Sequence, residues 1–151
     1  MKVGVISDTH GLMRPQALAA LRGSELILHA GDIGSPEILD ALRTLAPVKA
    51  IRGNNDTDAW AKAIPEILDL ELEDVRVHML HNVKEISAKH AEGADVVIAG
   101  HSHRPLAERR EGMLFLNPGS AGPRRFKLPI SVATLTIRAA NARARIIELD
   151  I

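Results

Sequence analysis

The most restrictive feature of this sequence is an alternation of short apolar stretches with amphipathic stretches through its first third. Apolar runs predict strands at 2–7, 25–29 and 48–52. Between them, apolar residues at helical spacing predict helices at 15–21 and 35–45, each with a proline near its start. Strand–helix–strand units of this kind build a parallel sheet with helices on its outside.

The rest of the chain is dominated by strands. The runs 67–72 and 75–80 flank Glu73-Asp74 and predict a hairpin with a tight turn. A helix is expected from about Val83 to Glu92, before Gly93. Further strands are predicted at 95–99, 113–116, 130–137 and 144–151. About nine strands exceed what one small open sheet carries, so we expect an α/β protein with two packed sheets and helices outside.

Composition excludes several classes of function. The 151 residues include no cysteine, which rules out disulfides, thiolate nucleophiles and cysteine-based metal sites. The formal net charge is zero and aromatic residues make up only 2%, so binding to nucleic acid by overall charge or base stacking is disfavoured. No apolar run reaches membrane length and the first one is short, so we expect no membrane span, signal peptide or linker. We expect one soluble cytoplasmic domain spanning 1–151.

Polar residues with metal-binding side chains follow the predicted strands at their carboxyl ends, where ligands bind in open α/β sheets. They are Asp8, His10, Asp32, Asn54, His81, His101 and His103. Imidazole, carboxylate and amide donors without thiolate suit Mn, Fe, Ni, Co or Zn. The set exceeds four ligands and Asp32 could bridge, so we hypothesise two ions about 3.5–4 Å apart that activate a bridging water.

Five segments occur in an order that resembles the calcineurin-like metallophosphoesterases. They are Ser7-Asp8-Thr9-His10-Gly11, His29-Ala30-Gly31-Asp32, Arg52-Gly53-Asn54-Asn55-Asp56, Leu80-His81 and Gly100-His101-Ser102-His103. With Asn117-Pro118-Gly119-Ser120, the whole chain is most similar to small single-domain phosphodiesterases of bacteria and archaea. The resemblance implies a four-layer αββα sandwich, in which two mixed β-sheets are flanked by helices.

The resemblance also implies a ligand set for each of two metal ions. Asp8, His10, Asp32 and His103 correspond to the ligands of one ion. Asp32 (bridging), Asn54, His81 and His101 correspond to those of the other. We expect Mn²⁺ first, with Ni²⁺, Zn²⁺, Fe²⁺ or Co²⁺ as alternatives.

Two positions depart from the family pattern. Many members carry a histidine after the ligand asparagine, where this chain has Asn55, which can bind a phosphate oxygen but cannot donate a proton as a general acid. Many members also read His-Gly-His where this chain reads His81-Asn82-Val83. We therefore expect hydrolysis to survive but to favour leaving groups that depart without protonation.

These observations predict a metal-dependent phosphodiesterase in which a metal-bridging hydroxide attacks phosphorus, with Asp32 and Asn55 as the catalytic residues. Asn55 and Arg124 are the candidate contacts to the substrate phosphate, although a solvated loop is the alternative for the basic stretch 124–127. The alternatives are a phosphomonoesterase of the same fold and a protein-interaction scaffold, as in the retromer subunit of this fold. A small phosphodiester is the expected substrate, with nucleic acid only as a possible substrate. The apolar run 146–151 leaves a homo-oligomer open.

Other polar residues are expected to play supporting or neutral parts. His29 is a candidate for orienting a metal ligand, and Asp56 for supporting the turn that carries Asn54. Asn117 is expected either to hydrogen-bond near the site or to cap the Pro-Gly turn. His78 has the opposite strand parity from its apolar neighbours, so we expect it to face solvent, and His90 is expected to be solvated.

Overall fold

The computed structural model describes residues 1–87, 89 and 92–151, and in that part of the chain ten strands form two mixed sheets. The first sheet runs, in spatial order, β10 (Asn141–Glu148), β9 (Ser131–Arg138), β1 (Lys2–Ile6), β2 (Leu26–His29) and β3 (Val48–Ala50). The second runs β4 (Ile67–Leu72), β5 (Val75–Leu80), β6 (Val96–Ile98), β8 (Met113–Asn117) and β7 (Leu106–Arg110). The helices are α1 (Pro15–Leu21) and α2 (Pro36–Arg43), and short 3₁₀ helices cover Ala59–Ala63 and Val83–Glu85.

The two sheets pack face to face around the main apolar core. Val5, Leu28, Val77, Ile98 and Leu135 are among the residues buried between them. Burying one such side chain stabilises the fold by roughly 1.5–3 kcal/mol, so this layer supplies much of the driving force for folding. The α/β sandwich expected from the sequence is confirmed.

Helices α1 and α2 cover the outer face of the first sheet. Leu21, Ile38 and Leu42 lie at 0–2% exposure against the sheet residue Ile6. Ser35 precedes α2 in extended conformation, but its side chain makes no capping hydrogen bond. In the described ranges, no helix is long and apolar enough to cross a membrane.

Parallel pairing brings the functional loops to one edge. β1 pairs in parallel with β2 and β2 with β3, so the chain leaves all three strands at the same end of the sheet. β5 and β6 are also parallel in the second sheet. The loops after these strands therefore meet at one edge of the sandwich, which is where the sequence places its polar motifs.

The observed elements differ from the prediction in several places. Strand β7 was not predicted, because all of its residues are exposed and it has no apolar alternation for the sequence to show. In place of a helix starting at Val83, the structure has a short 3₁₀ helix, Val83–Glu85, which ends at Ile86 in an extended backbone. Ala88, His90 and Ala91 lie outside the described residues, so the expectation for His90 stays untested.

The expectation that His78 faces solvent is wrong. Its side chain is only 1% exposed, and Nδ1 lies 2.7 Å from Oδ1 of Asp69 on the neighbouring strand. The parity argument places His78 on the outer face of the second sheet, but that face is covered there. Gly93 and Ala94, in the segment that leads into β6, line the same surface depression as His78.

Candidate metal centre

The loops after β1 and β2 are joined by backbone hydrogen bonds. Asp8 N donates to Gly31 O over 3.0 Å, and His10 N donates to Asp32 O over 2.9 Å. These bonds hold three of the predicted ligands, Asp8, His10 and Asp32, in neighbouring positions. Backbone hydrogen bonds alone therefore hold these two loops together at the sheet edge.

Several predicted ligands have a left-handed backbone. The φ angles of Asp8, His10, Asp32, His101 and His103 are 56°, 47°, 54°, 71° and 62°. Both members of the pair Asp8 and His10, and of the pair His101 and His103, therefore have a left-handed backbone. Such conformations cost roughly 1–2 kcal/mol each for residues with a Cβ, and strain of this kind clusters at functional sites.

Two glycines allow the loops to approach the carboxylates. A Cβ on Gly100 would lie 2.6 Å from Oδ2 of Asp8, and a Cβ on Gly53 would lie 2.1 Å from Oδ1 of Asp32. No larger residue fits at either position without moving a candidate ligand. The glycines of the Gly-His-Ser-His and Gly-Asn motifs are therefore part of the site's construction.

Donor atoms converge on the buried carboxylates of Asp8 and Asp32. From Oδ1 of Asp8, the Nε2 atoms of His103, His10 and His81 lie 3.3, 3.7 and 3.8 Å away. From Oδ2 of Asp32, those of His81 and His10 lie 3.2 and 3.8 Å away. Two groups have donor atoms all within 4.8 Å of one another: Asp8, His10 and His103, and Asp8, Asp32 and His81.

The hydrogen bonding of His81 leaves its Nε2 atom for a cation. Nδ1 lies 2.7 Å from the carbonyl oxygen of Ala30, which only accepts, so Nδ1 carries a hydrogen. Burial alone would lower the pKa of His81, but Asp32, the Ala30 carbonyl and Asp8 outweigh burial and raise it. Nε2 therefore holds either a proton or a metal ion between the two carboxylates.

The carboxylates of Asp8 and Asp32 remain ionised because neighbouring groups stabilise their charged forms. Burial alone would raise the pKa of Asp32, but His81 and the backbone N–H of Asn55 outweigh burial and lower it to about 2. The pKa of Asp8 is also lowered, because His103, His81 and Ser7 outweigh the effect of burial. The site thus presents two anionic carboxylates and several imidazoles at neutral pH.

The fit of this site to divalent metal ions rests on buried atoms that lack a partner. Oδ1 of Asp8, Nε2 of His81 and Nδ1 of His103 are buried without a hydrogen bond in the part of the chain that the structure describes. A buried polar atom of this kind costs about 1–3 kcal/mol unless something binds it. Oxygen and imidazole donors around two carboxylates are a suitable environment for Mn²⁺, Fe²⁺ or Zn²⁺.

The other predicted ligands border the same centre without joining either donor group. The ring of His101 packs edge-on against that of His81 with centroids 5.2 Å apart, and its backbone N–H donates to Oδ2 of Asp8 over 3.1 Å. The side chain of Asn54 is exposed and lies 3.5 Å from Oδ1 of Asn55. Asn54, His81 and His101 line one cleft of ≈ 460 Å³.

Asn55 lies directly beside the centre. Its backbone N–H donates to Oδ1 of Asp32 over 2.9 Å, and its Nδ2 donates to Oδ2 over 3.1 Å. Arg124, in contrast, is exposed and donates to the carbonyl oxygen of Leu128 over 3.5 Å. The structure therefore places one candidate phosphate contact at the carboxylates and gives the other a local partner in its own loop.

Asn117 fulfils both roles that the sequence left open. Its Nδ2 donates to Gly100 O over 2.9 Å and to Oγ of Ser102 over 3.1 Å, which ties it to the loop carrying His101 and His103. Its Oδ1 accepts from Gly119 N over 2.9 Å, which caps the Pro-Gly turn.

Three hydroxyl residues that the sequence analysis did not single out support the site. Ser7 Oγ donates to Oδ2 of Asp8 over 2.7 Å, and Ser120 Oγ donates to Asp8 O over 3.1 Å. Thr9 Oγ1 donates to Ile33 O over 2.8 Å. These residues could have been found from the sequence, because small hydroxyl residues lie next to ligand positions inside the motifs already identified.

Asp56 supports the turn that carries Asn54, as the sequence predicted, and it also connects this turn to the loop after β2. Its carboxylate accepts hydrogen bonds from the backbone N–H groups of Ile33 (3.0 Å), Gly34 (3.0 Å) and Gly53 (2.9 Å). These residues adjoin Asp32 and Asn54. The carboxylate therefore fixes the spacing between two ligand-bearing loops.

Asp56→Asn is expected to destabilise the metal-free protein by about 3 kcal/mol, because charge-assisted hydrogen bonds are lost and an amide N–H faces backbone donors. Metal affinity should fall roughly 10- to 100-fold as the loops loosen. Urea unfolding and calorimetric metal titration measure the two effects. Asp58→Asn, at an exposed position two residues away, is the control. Equal effects from the two variants would contradict this role for Asp56.

His29 links the loop after β1 to the loop after β2 through two hydrogen bonds. Its Nδ1 accepts from Gly31 N over 3.1 Å, so Nε2 carries the hydrogen and donates to Thr9 Oγ1 over 2.9 Å. The residue is completely buried, and burial lowers its pKa to about 4 despite the raising effect of Asp8 and Asp56. His29 is therefore neutral in the folded state and positions the ligand loops, as expected.

The neutrality of His29 predicts a loss of stability on acidification. Between pH 6.5 and about 4 the unfolded chain binds a proton at this residue and the folded protein does not. Its contribution to the free energy of unfolding should therefore fall by roughly 3 kcal/mol across this range and stay constant below it. Urea unfolding with chelator should show a smaller fall for His29→Gln than for the wild type. An equal fall in both would contradict the assignment.

Comparison with known proteins now gives this geometry a family. Residues 1–140 match the model of the calcineurin-like phosphoesterase superfamily domain. The chain belongs to this superfamily. A probable metallophosphoesterase of Methanothermobacter thermautotrophicus is 41% identical over 98% of this chain and 92% of its own length. A phosphodiesterase of Methanocaldococcus jannaschii is 31% identical over 79% of this chain and 83% of its own length.

Solved structures share the fold of this superfamily member over its whole length. An archaeal phosphodiesterase superimposes with a TM-score of 0.79 at 26% identity, covering 97% of this chain and 100% of its own. A Vps29 protein of Entamoeba histolytica, solved with Zn²⁺, superimposes with a TM-score of 0.75 at 24% identity, covering 98% and 99%. The latter likeness concerns the fold alone.

Proposed function

We propose that this chain is a metal-dependent phosphodiesterase with a dinuclear centre at the shared sheet edge and Mn²⁺ as the preferred ion. The observation that carries the proposal is the pair of donor groups that share Asp8, with donor atoms within 4.8 Å of one another. One group supplies His10 and His103, and the other supplies Asp32 and His81. When bound, divalent ions of this kind acidify a coordinated water and neutralise charge on a phosphoryl group.

The residues of the centre hold and orient this chemistry. Asp8 and Asp32 would supply anionic oxygens, and His10, His81 and His103 would supply imidazole nitrogens. Asn54 and His101, which line the same cleft as His81, would complete the ligand set. Hydrolysis here requires no protein nucleophile, which accords with a chain lacking cysteine.

Asn55 is the proposed contact to the substrate phosphate. Its amide already lies 3.1 Å from Oδ2 of Asp32, so a phosphate held at the carboxylates would come within hydrogen-bond reach. An amide can donate a hydrogen bond but cannot transfer a proton, so the leaving group must depart as an unprotonated anion. The cleft of ≈ 460 Å³ suits a small ester.

Paired substrates test the proposal. The proposal predicts that, with Mn²⁺ bound, an activated aryl phosphodiester is hydrolysed at least about tenfold faster, by kcat/KM, than the matching aryl phosphomonoester. A higher kcat/KM for the monoester would instead make the protein a phosphomonoesterase. Hydrolysis of neither substrate by metal-loaded protein would contradict both activities.

A further inference from the structure

A second surface lies at the opposite end of the first sheet from the metal centre, and it carries several cationic side chains and no acidic ones. An open concavity of ≈ 750 Å³ on the outer face of β1, β9 and β10 is lined by the cations Lys2, Arg138, Arg143 and Arg145. Its lining includes no aspartate or glutamate. We call these four residues and the threonines between them the basic face. Because the whole chain has zero net charge, the basic face is a segregation of charge and not a reflection of composition.

Strand register explains how the four cations come together. Thr136 pairs with Lys2 on one side and with Arg143 on the other, and Thr134 pairs with Arg145. Cross-strand partners point to the same face of a sheet, so the cations flank a column of threonine hydroxyls. Arg143 and Arg145 are two residues apart on β10 and therefore also share that face.

The cations of the basic face have no carboxylate partners of their own. Within the described residues, none of the four takes part in an ion pair, and the recorded side-chain bond is from Lys2 Nζ to Arg22 O over 3.3 Å. The carboxylate of Glu25 approaches from the rim, where it accepts from the backbone N–H of Lys2 over 2.7 Å. Arg143 and Arg145 lie two residues apart on one strand and the other two cations border the same concavity, so like charges repel one another in the isolated chain.

Protection of an exposed sheet edge does not account for this arrangement. Charged side chains on edge strands discourage aggregation, and the edge strand β7 does carry them, with Glu108 and Arg110 paired over 2.9 Å. The basic face differs because its charges have one sign and come from three strands, one of which is the central strand β1. An external anion would remove the repulsion.

We propose that the basic face binds an extended acidic segment of a partner protein. Guanidinium groups pair with carboxylates through two hydrogen bonds each, and three of the four cations are arginines. Ala139 and Ile147 add apolar contact for a polypeptide, whereas no aromatic side chain lines the concavity to stack a nucleic acid base. This lining is complementary to a peptide in which acidic and apolar residues alternate.

The basic face is separate from the candidate metal centre. Lys2 begins β1 and Asp8 follows its end, so the two regions lie about 20 Å apart at 3.3 Å per residue. A partner on the basic face would leave the metal cleft open. This inference therefore stands apart from the proposed hydrolysis and does not depend on it.

The test is fluorescence anisotropy with a labelled nonapeptide of alternating glutamate and valine. The wild type should bind it, Arg143→Glu/Arg145→Glu should weaken binding at least about tenfold, and raising salt from 0.05 to 0.5 M should weaken it further. Arg125→Glu/Lys127→Glu, which makes the same charge change on an exposed loop, should change binding less than twofold. Arg143→Gln/Arg145→Gln serves as a milder second variant, and circular dichroism melting checks that each variant is folded.

Three results would overturn the proposal. The first is an absence of peptide binding by the wild type at low salt. The second is an equal loss in the two glutamate variants, which would mean that only net charge matters. The third is tighter binding, under the same conditions, of a single-stranded oligonucleotide or of vesicles containing phosphatidylserine, which would assign the surface to another class of partner.

Discussion

Asp32→Ala is expected to abolish metal-dependent hydrolysis, with a fall in kcat/KM of about 10³-fold or more. The carboxylate lies 3.2 Å from Nε2 of His81 and accepts two hydrogen bonds from Asn55, so its removal breaks one donor group and frees the phosphate contact. Loss of a metal-held transition state is worth several kcal/mol, and each 1.36 kcal/mol is tenfold in rate.

The control for this variant is Asp58→Ala, which removes an exposed carboxylate immediately before the 3₁₀ helix Ala59–Ala63. Its rate should stay within about twofold of the wild type. Calorimetry on both proteins should show weaker Mn²⁺ binding for Asp32→Ala alone. Full activity in Asp32→Ala would show that the turnover comes from a contaminant or from another site.

Asn55→His is expected to speed hydrolysis of alkyl phosphodiesters by roughly 10²- to 10⁴-fold relative to aryl ones. General acid catalysis is worth about that much, and it matters when the leaving group is a poor one. The backbone of residue 55 is already fixed by its hydrogen bond to Asp32 (2.9 Å), so an imidazole there would lie beside the carboxylates.

The measurement is the ratio of aryl to alkyl kcat/KM in the wild type and in Asn55→His. Asn55→Gln, which retains the amide and lengthens the side chain, separates proton donation from a change in size. An unchanged ratio in Asn55→His would contradict the view that a missing proton donor limits the wild type. A ratio that narrows equally in Asn55→Gln would attribute the gain to geometry.

Where the structure matches the prediction, a local sequence pattern determines the bounds or the position of the element. The hairpin of β4 and β5 has the predicted bounds because apolar alternation runs up to Glu73 and Asp74, which turn with φ angles of 47° and 66°. Helix α1 also has the predicted bounds, set by Pro15 at its start and Gly23 beyond its end. The ligand-bearing loops were placed at one edge because parallel strands all end there.

Some of the differences depend on contacts between distant parts of the chain, and one depends on a local turn. The sequence could not show that the outer face over His78 is covered. It also could not show that Asp8 belongs to both groups of converging donors. The turn between β9 and β10 uses Ala139 and Ala140 at φ angles of 51° and 63°, where glycine or asparagine would have signalled it, so β10 begins earlier than predicted.

The most direct test of the central claim is Mn²⁺ titration of metal-stripped protein during hydrolysis of an activated aryl phosphodiester. The proposed function predicts no turnover without metal, and turnover that rises until about two ions are bound per chain, as measured by calorimetry on the same sample. Turnover that is unaffected by metal removal would contradict a metal-dependent mechanism. Binding of two ions without any turnover would contradict the assignment as a phosphodiesterase and favour a metal-binding scaffold.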